Sequence, residues 1–159
     1  MKFSSWIRWL PGMACLLCLL ACHATQTMTL SMVGQGYEWY IHYPDSGGGT
    51  GTDHVVVKKD VYVPENTDLK IHLTSKDYIY ALKIPAFGQN EMAVPDIAFD
   101  LTFNTGPPGK HPLKGDQMCG YTHDTLRGEL VVLSRADFEK WLAAQPAGAA
   151  ASTANAGHH

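Results

Sequence analysis

Between residues 27 and 134, short runs of Val, Ile, Tyr and Thr alternate apolar with polar side chains and are interrupted by Gly, Pro, Asn and Asp. A period of two with such interruptions predicts β-strands. The runs fall at 29–33, 37–43, 54–57, 69–75, 78–84, 97–103 and 129–133. In the fourth, Leu69, Ile71 and Leu73 share one face, and Lys70 and His72 share the other. Several short strands separated by turn signals point to an all-β sandwich or barrel. One helix is predicted to close it. Ser134 is placed to cap that helix with Asp137 three residues later, and Phe138, Trp141 and Leu142 recur at helical spacing.

Both ends depart from this pattern. Lys2 and Arg8 precede an apolar run that ends in Leu19-Leu20-Ala21-Cys22, too short for a membrane span. It resembles an export signal with a bacterial lipobox, so residues 1–22 are expected to be a leader and Cys22 the lipidated residue. Residues 143–159 turn to Ala, Gly, Pro, Ser and Thr and are expected to form a disordered tail, with His158 and His159 at its loose end. The folded domain is therefore expected over 23–142. The glycine-rich stretch 46–51 reads as a loop tip.

Processing at Cys22 changes the cysteine count. Of four cysteines, Cys15 and Cys18 leave with the leader and Cys22 is acylated, so Cys119 is the remaining thiol. An exported domain with one thiol forms no internal disulfide, and that thiol is then buried, joined to another chain or bound to a metal. Loss of Lys2 and Arg8 takes the formal charge from −3 to about −5, which argues against a general nucleic-acid binder. The chain offers no Ser/His/Asp set, phosphate-cradling glycine loop or persuasive carboxylate pair, so an enzyme acting alone is not expected.

The segment from Lys114 to Leu126 carries the chemistry. It reads as a loop between two β runs and holds Cys119 and His123 four residues apart. Thiolate and imidazole are soft and borderline donors that favour copper or zinc over calcium or magnesium. Two such donors need further ligands. Asp116, Met118 and His111 are close in sequence and are candidates. The histidines His42 and His72 fall on polar strand faces and are expected to be solvated.

Cys119-Gly120-x-x-His123, followed by a strand and a Trp-bearing helix, resembles the end of the dinuclear copper (CuA) domain of cytochrome c oxidase subunit II. Further segments agree in the same order. Gly34-Gln35-Gly36-Tyr37-Glu38-Trp39 through Tyr43-Pro44-Asp45 resembles the family's aromatic strand, and Val63-Pro64-Glu65-Asn66 its turn into the next. Thr74–Tyr80 and Ile84-Pro85-Ala86-Phe87-Gly88 resemble the region of its first histidine ligand. Ala93-Val94-Pro95-Asp96 resembles the segment after it, with Asp96 where the family usually has Gly. The resemblance implies a cupredoxin-like Greek-key β-sandwich with one short C-terminal helix.

It also implies a ligand set of two histidines, two bridging cysteines, a methionine and a backbone carbonyl. Cys119 and His123 match the second cysteine and second histidine, and Gln117 the carbonyl. Gly115, Tyr80 and Leu126 stand where the first cysteine, first histidine and methionine would be. With one thiolate missing, no two-copper cluster is expected. Three readings stay open. A single copper is bound by Cys119 and His123, with Tyr80 oxygen, Asp116, Met118 or His111 completing the set. Alternatively the site is metal-free, Tyr80 only fills space, and the sandwich is a structural or assembly module. Least favoured, Cys119 bonds another chain. The first is placed ahead. By resemblance, the partners are a cytochrome c or haem-copper oxidase subunits, with the lipid anchor holding the protein on the periplasmic face of a bacterial membrane. The expected role is electron transfer or an accessory part of the respiratory chain, with an exposed aromatic from Tyr37, Trp39, Tyr40 and Tyr43 as an electron entry point.

Overall fold

The computed structural model describes residues 26–44, 55–118, 120 and 123–145. Among the described residues there are ten strands: β1 (Gln26–Gln35), β2 (Glu38–Tyr43), β3 (Val55–Lys58), β4 (Val61–Pro64), β5 (Thr67–Ser75), β6 (Tyr80–Ile84), β7 (Gln89–Ala93), β8 (Phe99–Asn104), β9 (Gly109–Gln117) and β10 (Gly128–Leu133). They form two five-stranded sheets, ordered β3-β2-β1-β5-β8 and β4-β10-β9-β6-β7. β1 lies parallel to β5 and β10 parallel to β4, while the other neighbours are antiparallel.

The alternation read from 69–75 is the alternation seen. From Thr67 to Ser75 every second residue of β5 is buried, so Leu69, Ile71 and Leu73 face the core between the sheets. Trp39, Ile41 and Tyr43 from β2 and Tyr80, Leu82 and Ile84 from β6 meet them there. Burial of side chains this large from both sheets supplies the main driving force for the sandwich.

Three strands carry weak sequence signals. β9 contains Gly109, Pro112 and Gly115, residues that interrupt strand patterns, yet it pairs with both β6 and β10. Lys114 to Gln117, expected in a loop, therefore belong to a strand. β7 is a polar edge without apolar alternation, and β4 is four residues long. Elsewhere the strand starts shift. Tyr37 has φ 63° and sits in the turn before β2, and Asp96, with φ 61°, precedes β8. The left-handed backbone at Asp96 is a conformation that favours glycine.

The helix α1 (Arg135–Ala143) begins as its sequence predicts. The Asp137 N–H donates to Ser134 Oγ at 3.2 Å. Phe138 is buried, and Trp141 stacks on Tyr62 with ring centroids 4.6 Å apart. No helix among the described residues is long and apolar enough to cross a membrane.

Candidate metal centre

One end of the sandwich gathers the Gly36-Tyr37 turn, the segment from Lys76 to Ile79, the end of β9 and the loop leading into β10. Tyr80 opens β6 at this end and pairs with Gln117, the last residue of β9. Beyond it, Met118 N–H donates to the Ile79 carbonyl at 3.1 Å and Gly120 N–H to the Gln117 carbonyl at 3.0 Å. The chain thus turns tightly at the end of β9. His123 heads a single 3₁₀ turn, Asp124–Leu126, and its carbonyl accepts the Leu126 N–H at 3.0 Å.

The returning loop is tied down by aromatic contacts. The His123 ring stacks on Tyr37 with centroids 4.1 Å apart, and Tyr37 stacks in turn on Tyr78 at 5.2 Å. Thr125 Oγ1 donates to the Tyr37 carbonyl at 2.5 Å. Trp39 Nε1–H donates to the Leu126 carbonyl at 3.0 Å in the buried interior. Leu126 is fully buried.

Tyr80 is also fully buried, and its hydroxyl is committed at both of its functions. It donates to Asp77 Oδ1 at 2.7 Å and accepts from the Tyr37 N–H at 3.3 Å. Burial foremost, and then the Asp77 carboxylate, push its phenol well above the usual tyrosine range, so it stays protonated. Asp77 works against its own burial, which raises its carboxyl. Hydrogen bonds from Gly36 N–H, the Tyr80 hydroxyl and Tyr78 N–H more than offset that, and the net shift is downward. Sequence reasoning missed Asp77, although an Asp bonding the N–H of the next residue at a strand start is familiar turn chemistry.

The other candidates scatter. Asp116 lies on β9 opposite Ala81 and meets Arg127 at 3.5 Å. Met118 is 63% exposed. His111, a candidate for its closeness to Cys119 in sequence, lies inside β9, paired with Leu130 and edge-on to Phe87. Gln117 is six residue steps further along the strand, about 20 Å at roughly 3.3 Å each. The reason is the pairing of the whole segment from Gly109 to Gln117 as strand. Cys119 and the lipidation candidate Cys22 lie outside the described residues. Among the described residues, no three His, Cys, Asp or Glu side chains form a metal cage.

A two-copper centre does not fit the residues present. At Gly115 an added Cβ would lie 2.4 Å from the Leu126 carbonyl oxygen, 2.7 Å from Trp39 Nε1 and 2.9 Å from Leu126 Cβ. Tyr80 offers a protonated, doubly bonded hydroxyl where an imidazole is needed. Leu126 offers no donor side chain. Of the expected set, Gln117 and His123 are brought to the same end of the fold, and the positions of Tyr80, Gly115 and Leu126 are filled by packing.

Comparison with known proteins agrees with this architecture. The family model for the cytochrome c oxidase subunit II periplasmic domain matches residues 48–133. Cytochrome c oxidase subunit 2 of Thermostichus vulcanus is 27% identical over 114 residues, which is 72% of this chain and 32% of that protein. The subunit 2 of Alkalihalophilus pseudofirmus is 25% identical over 116 residues, 73% of this chain and 32% of that protein. The chain spans about a third of the length of these curated relatives. Among solved structures, the periplasmic domain of oxidase subunit II of Bradyrhizobium japonicum superposes with a TM-score of 0.64 at 21% identity. That superposition covers 74% of this chain and 92% of that one. A subunit II domain caught in a mixed disulfide with a thioredoxin-like protein superposes at 0.62 with 22% identity, covering 73% and 89%. With the family model spanning more than half of its residues, the chain belongs to the cytochrome c oxidase subunit II periplasmic domain family.

Proposed function

We propose that this protein is a non-catalytic accessory component working beside a haem-copper oxidase on the periplasmic face of a bacterial membrane. In this reading it is held there by lipid on Cys22. The loop after β9 binds one copper through Cys119 thiolate and His123 imidazole and passes electrons between a cytochrome c and the oxidase. The carrying observation is that β9 ends at Gln117 and the loop returns at His123 with its ring fixed against Tyr37. A rigid sheet and a stacked imidazole limit movement around a bound ion, which favours electron transfer. Soft thiolate and borderline imidazole suit copper.

Metal analysis and an optical spectrum of the purified protein test this. About one copper per chain is expected, with a thiolate-to-copper absorption that disappears in Cys119→Ser. A chain that takes up no copper ends the electron-carrier reading. A spectrum of two coppers sharing valence ends it as well, because it requires the closed positions to be open. Replacing Cys22 by Ser is expected to release the protein from membranes, and firm retention of that variant refutes the lipid anchor.

The packing of Gly115, Tyr80 and Leu126 favours a second reading, in which the domain is a metal-free assembly or docking module of the oxidase. It predicts unaltered assembly of the oxidase complex with Cys119→Ser.

A further inference from the structure

The outer face of the β4-β10-β9-β6-β7 sheet carries a row of cations. On β6, Leu82 and Ile84 are buried in the core, and Lys83 between them points outward. On β9, Leu113 and Gly115 are buried and Lys114 between them is exposed. The register sets Lys83 directly opposite Lys114. Directly opposed residues share a face, so two like charges stand side by side there, an arrangement that costs stability. Arg127, just before β10, reaches the same face. Its guanidinium meets Asp116, two residues along β9 from Lys114, at 3.5 Å. Lys110, four residues back along β9, lies on this face too and bonds Glu129 at 2.9 Å.

Acids on this face are matched one to one. Asp116 takes Arg127 and Glu129 takes Lys110, which leaves Lys83 and Lys114 in surplus. Asp60 accepts the Glu129 N–H at 2.9 Å, on the far side of β10 from Lys114. Among the described residues, neither Lys83 nor Lys114 has a carboxylate within ion-pair distance. The side-chain carboxylates beyond the described residues are Asp45 and Asp53, which fall in sequence between β2 and β3 of the other sheet. Two occupants suit an exposed cationic sheet face, an anionic bilayer or an acidic protein. The start of the chain favours the bilayer. Cys22 stands four residue steps before Gln26, about 14 Å at roughly 3.5 Å each. Gln26 Oε1 accepts a hydrogen bond from Arg135 Nη1, and Arg135 follows β10 closely. A chain anchored at Cys22 therefore enters the domain beside this sheet and holds it at the bilayer.

We propose that this face lies against an anionic phospholipid bilayer, with Lys83, Lys114 and Arg127 on the headgroup phosphates. The choice of a bilayer rests on the lipid anchor proposed above, whereas the cationic face itself does not. Phosphates set between Lys83 and Lys114 turn their repulsion into attraction. Each lysine brought to an anionic bilayer strengthens the hold about fivefold, and salt weakens it by screening. In this posture the strands run along the bilayer, and the loop end with His123 opens sideways toward partners in the same membrane.

The test is lysine acetylation read by mass spectrometry, on the full chain bound to vesicles of phosphatidylglycerol or of phosphatidylcholine. On phosphatidylglycerol, Lys83 and Lys114 are expected to react about threefold or more slowly than on phosphatidylcholine. Lys76 and Lys140, on other elements, are expected to keep their rates, and salt at about 0.5 M to restore the protected pair. The Cys22→Ser chain separates this claim from the anchor. Its release from native membranes supports the anchor and its retention there refutes it. In either case, slowed acetylation of Lys83 and Lys114 when that chain is added to excess phosphatidylglycerol vesicles upholds the face. Lys83→Gln with Lys114→Gln is expected to weaken co-sedimentation of the Cys22→Ser chain with these vesicles about fivefold or more. Equal reactivity on the two lipids overturns the proposal, as does equal protection of Lys76 and Lys140, or co-sedimentation unchanged by the double substitution. Protection of Lys83 and Lys114 in native membranes but not on phosphatidylglycerol vesicles makes an acidic protein the occupant and overturns it too.

Discussion

Tyr80 and Asp77 form a single hydrogen-bonded unit: the buried phenol donates to one carboxylate oxygen at 2.7 Å while the other oxygen accepts the Gly36 N–H at 2.6 Å. The pair ties the start of β6 to the turn before β2. It also joins the aromatic cluster, since Tyr37 meets Tyr80 edge-on at 6.3 Å and Trp39 meets it at 5.7 Å. In a site of this family the same position would hold a metal ligand. Here it holds two strand ends together through the Tyr80 hydroxyl bonds to Asp77 and Tyr37.

Removing only the hydroxyl isolates that contribution. Tyr80→Phe keeps the ring and its packing, but leaves the Tyr37 N–H without its acceptor and takes one donor from Asp77. A loss of about 1–2 kcal/mol is expected. Urea unfolding measures it as a lower midpoint with an unchanged slope. A midpoint equal to that of the unmodified chain means the hydroxyl bonds contribute nothing net.

The acid limb of stability follows from Asp77. Its folded carboxyl titrates below the ordinary carboxylate value. A depressed folded pKa adds stability that is present above the unfolded value, near 3.9, and that is lost as pH falls through the lower folded value. Unfolding midpoints recorded downward from pH 5 are therefore expected to fall most steeply below about pH 4. Tyr80→Phe removes one of the bonds that depress Asp77, so the same drop is expected to be shallower in that variant. An equally steep drop in both assigns the acid sensitivity to other carboxylates.

How far the sequence reveals these features depends on where their causes lie. Leu69, Ile71 and Leu73 alternate with polar residues, and that local pattern is enough to place β5. Ser134 and Asp137 are three apart, so the helix cap is local too. β9 is different. Pro112 and Gly115 weaken its pattern, and its existence depends on pairing with β6 and β10, which are distant in the chain. Hence His111 looked like a loop residue near Cys119 and is a strand residue far from the loop. Matching of ordered motifs identified Gly115, Tyr80 and Leu126 at the ligand positions, but not the contacts that each of them makes. The Trp39–Leu126 bond spans 87 residues and the Tyr37–Tyr80 bond 43, and no spacing rule announces either.

Gly115 is expected to accept no side chain without a penalty. A methyl group there meets the Leu126 carbonyl oxygen at 2.4 Å and Trp39 Nε1 at 2.7 Å, one a backbone atom and the other a ring atom held by a hydrogen bond. Neither is the free end of a flexible chain. Gly115→Ala is expected to cost about 1–3 kcal/mol by overpacking. Calorimetry checks this, and a midpoint within a degree or so of the unmodified chain shows that the strand yields freely.

Trp39→Phe separates the indole N–H from the rest of the ring. The Leu126 carbonyl it serves is buried and lies at the point where the loop from His123 rejoins the sheet. Without the donor, that carbonyl is left unpaired in the interior, at a cost of about 1–3 kcal/mol, and the smaller ring adds a void. Trp141→Phe is the control, because Trp141 is half-buried and its stacking on Tyr62 survives in a phenyl ring. The Trp39 variant is therefore expected to lose clearly more stability than the Trp141 variant. Amide exchange sharpens the comparison: faster exchange at the Leu126 and Arg127 N–H groups is expected for Trp39→Phe alone, since their 3₁₀ bonds to His123 and Asp124 lie against the freed carbonyl. Equal losses in the two variants, with those two amides unchanged, assign the effect of Trp39 to ring volume and remove the hydrogen bond as the tie that holds the loop.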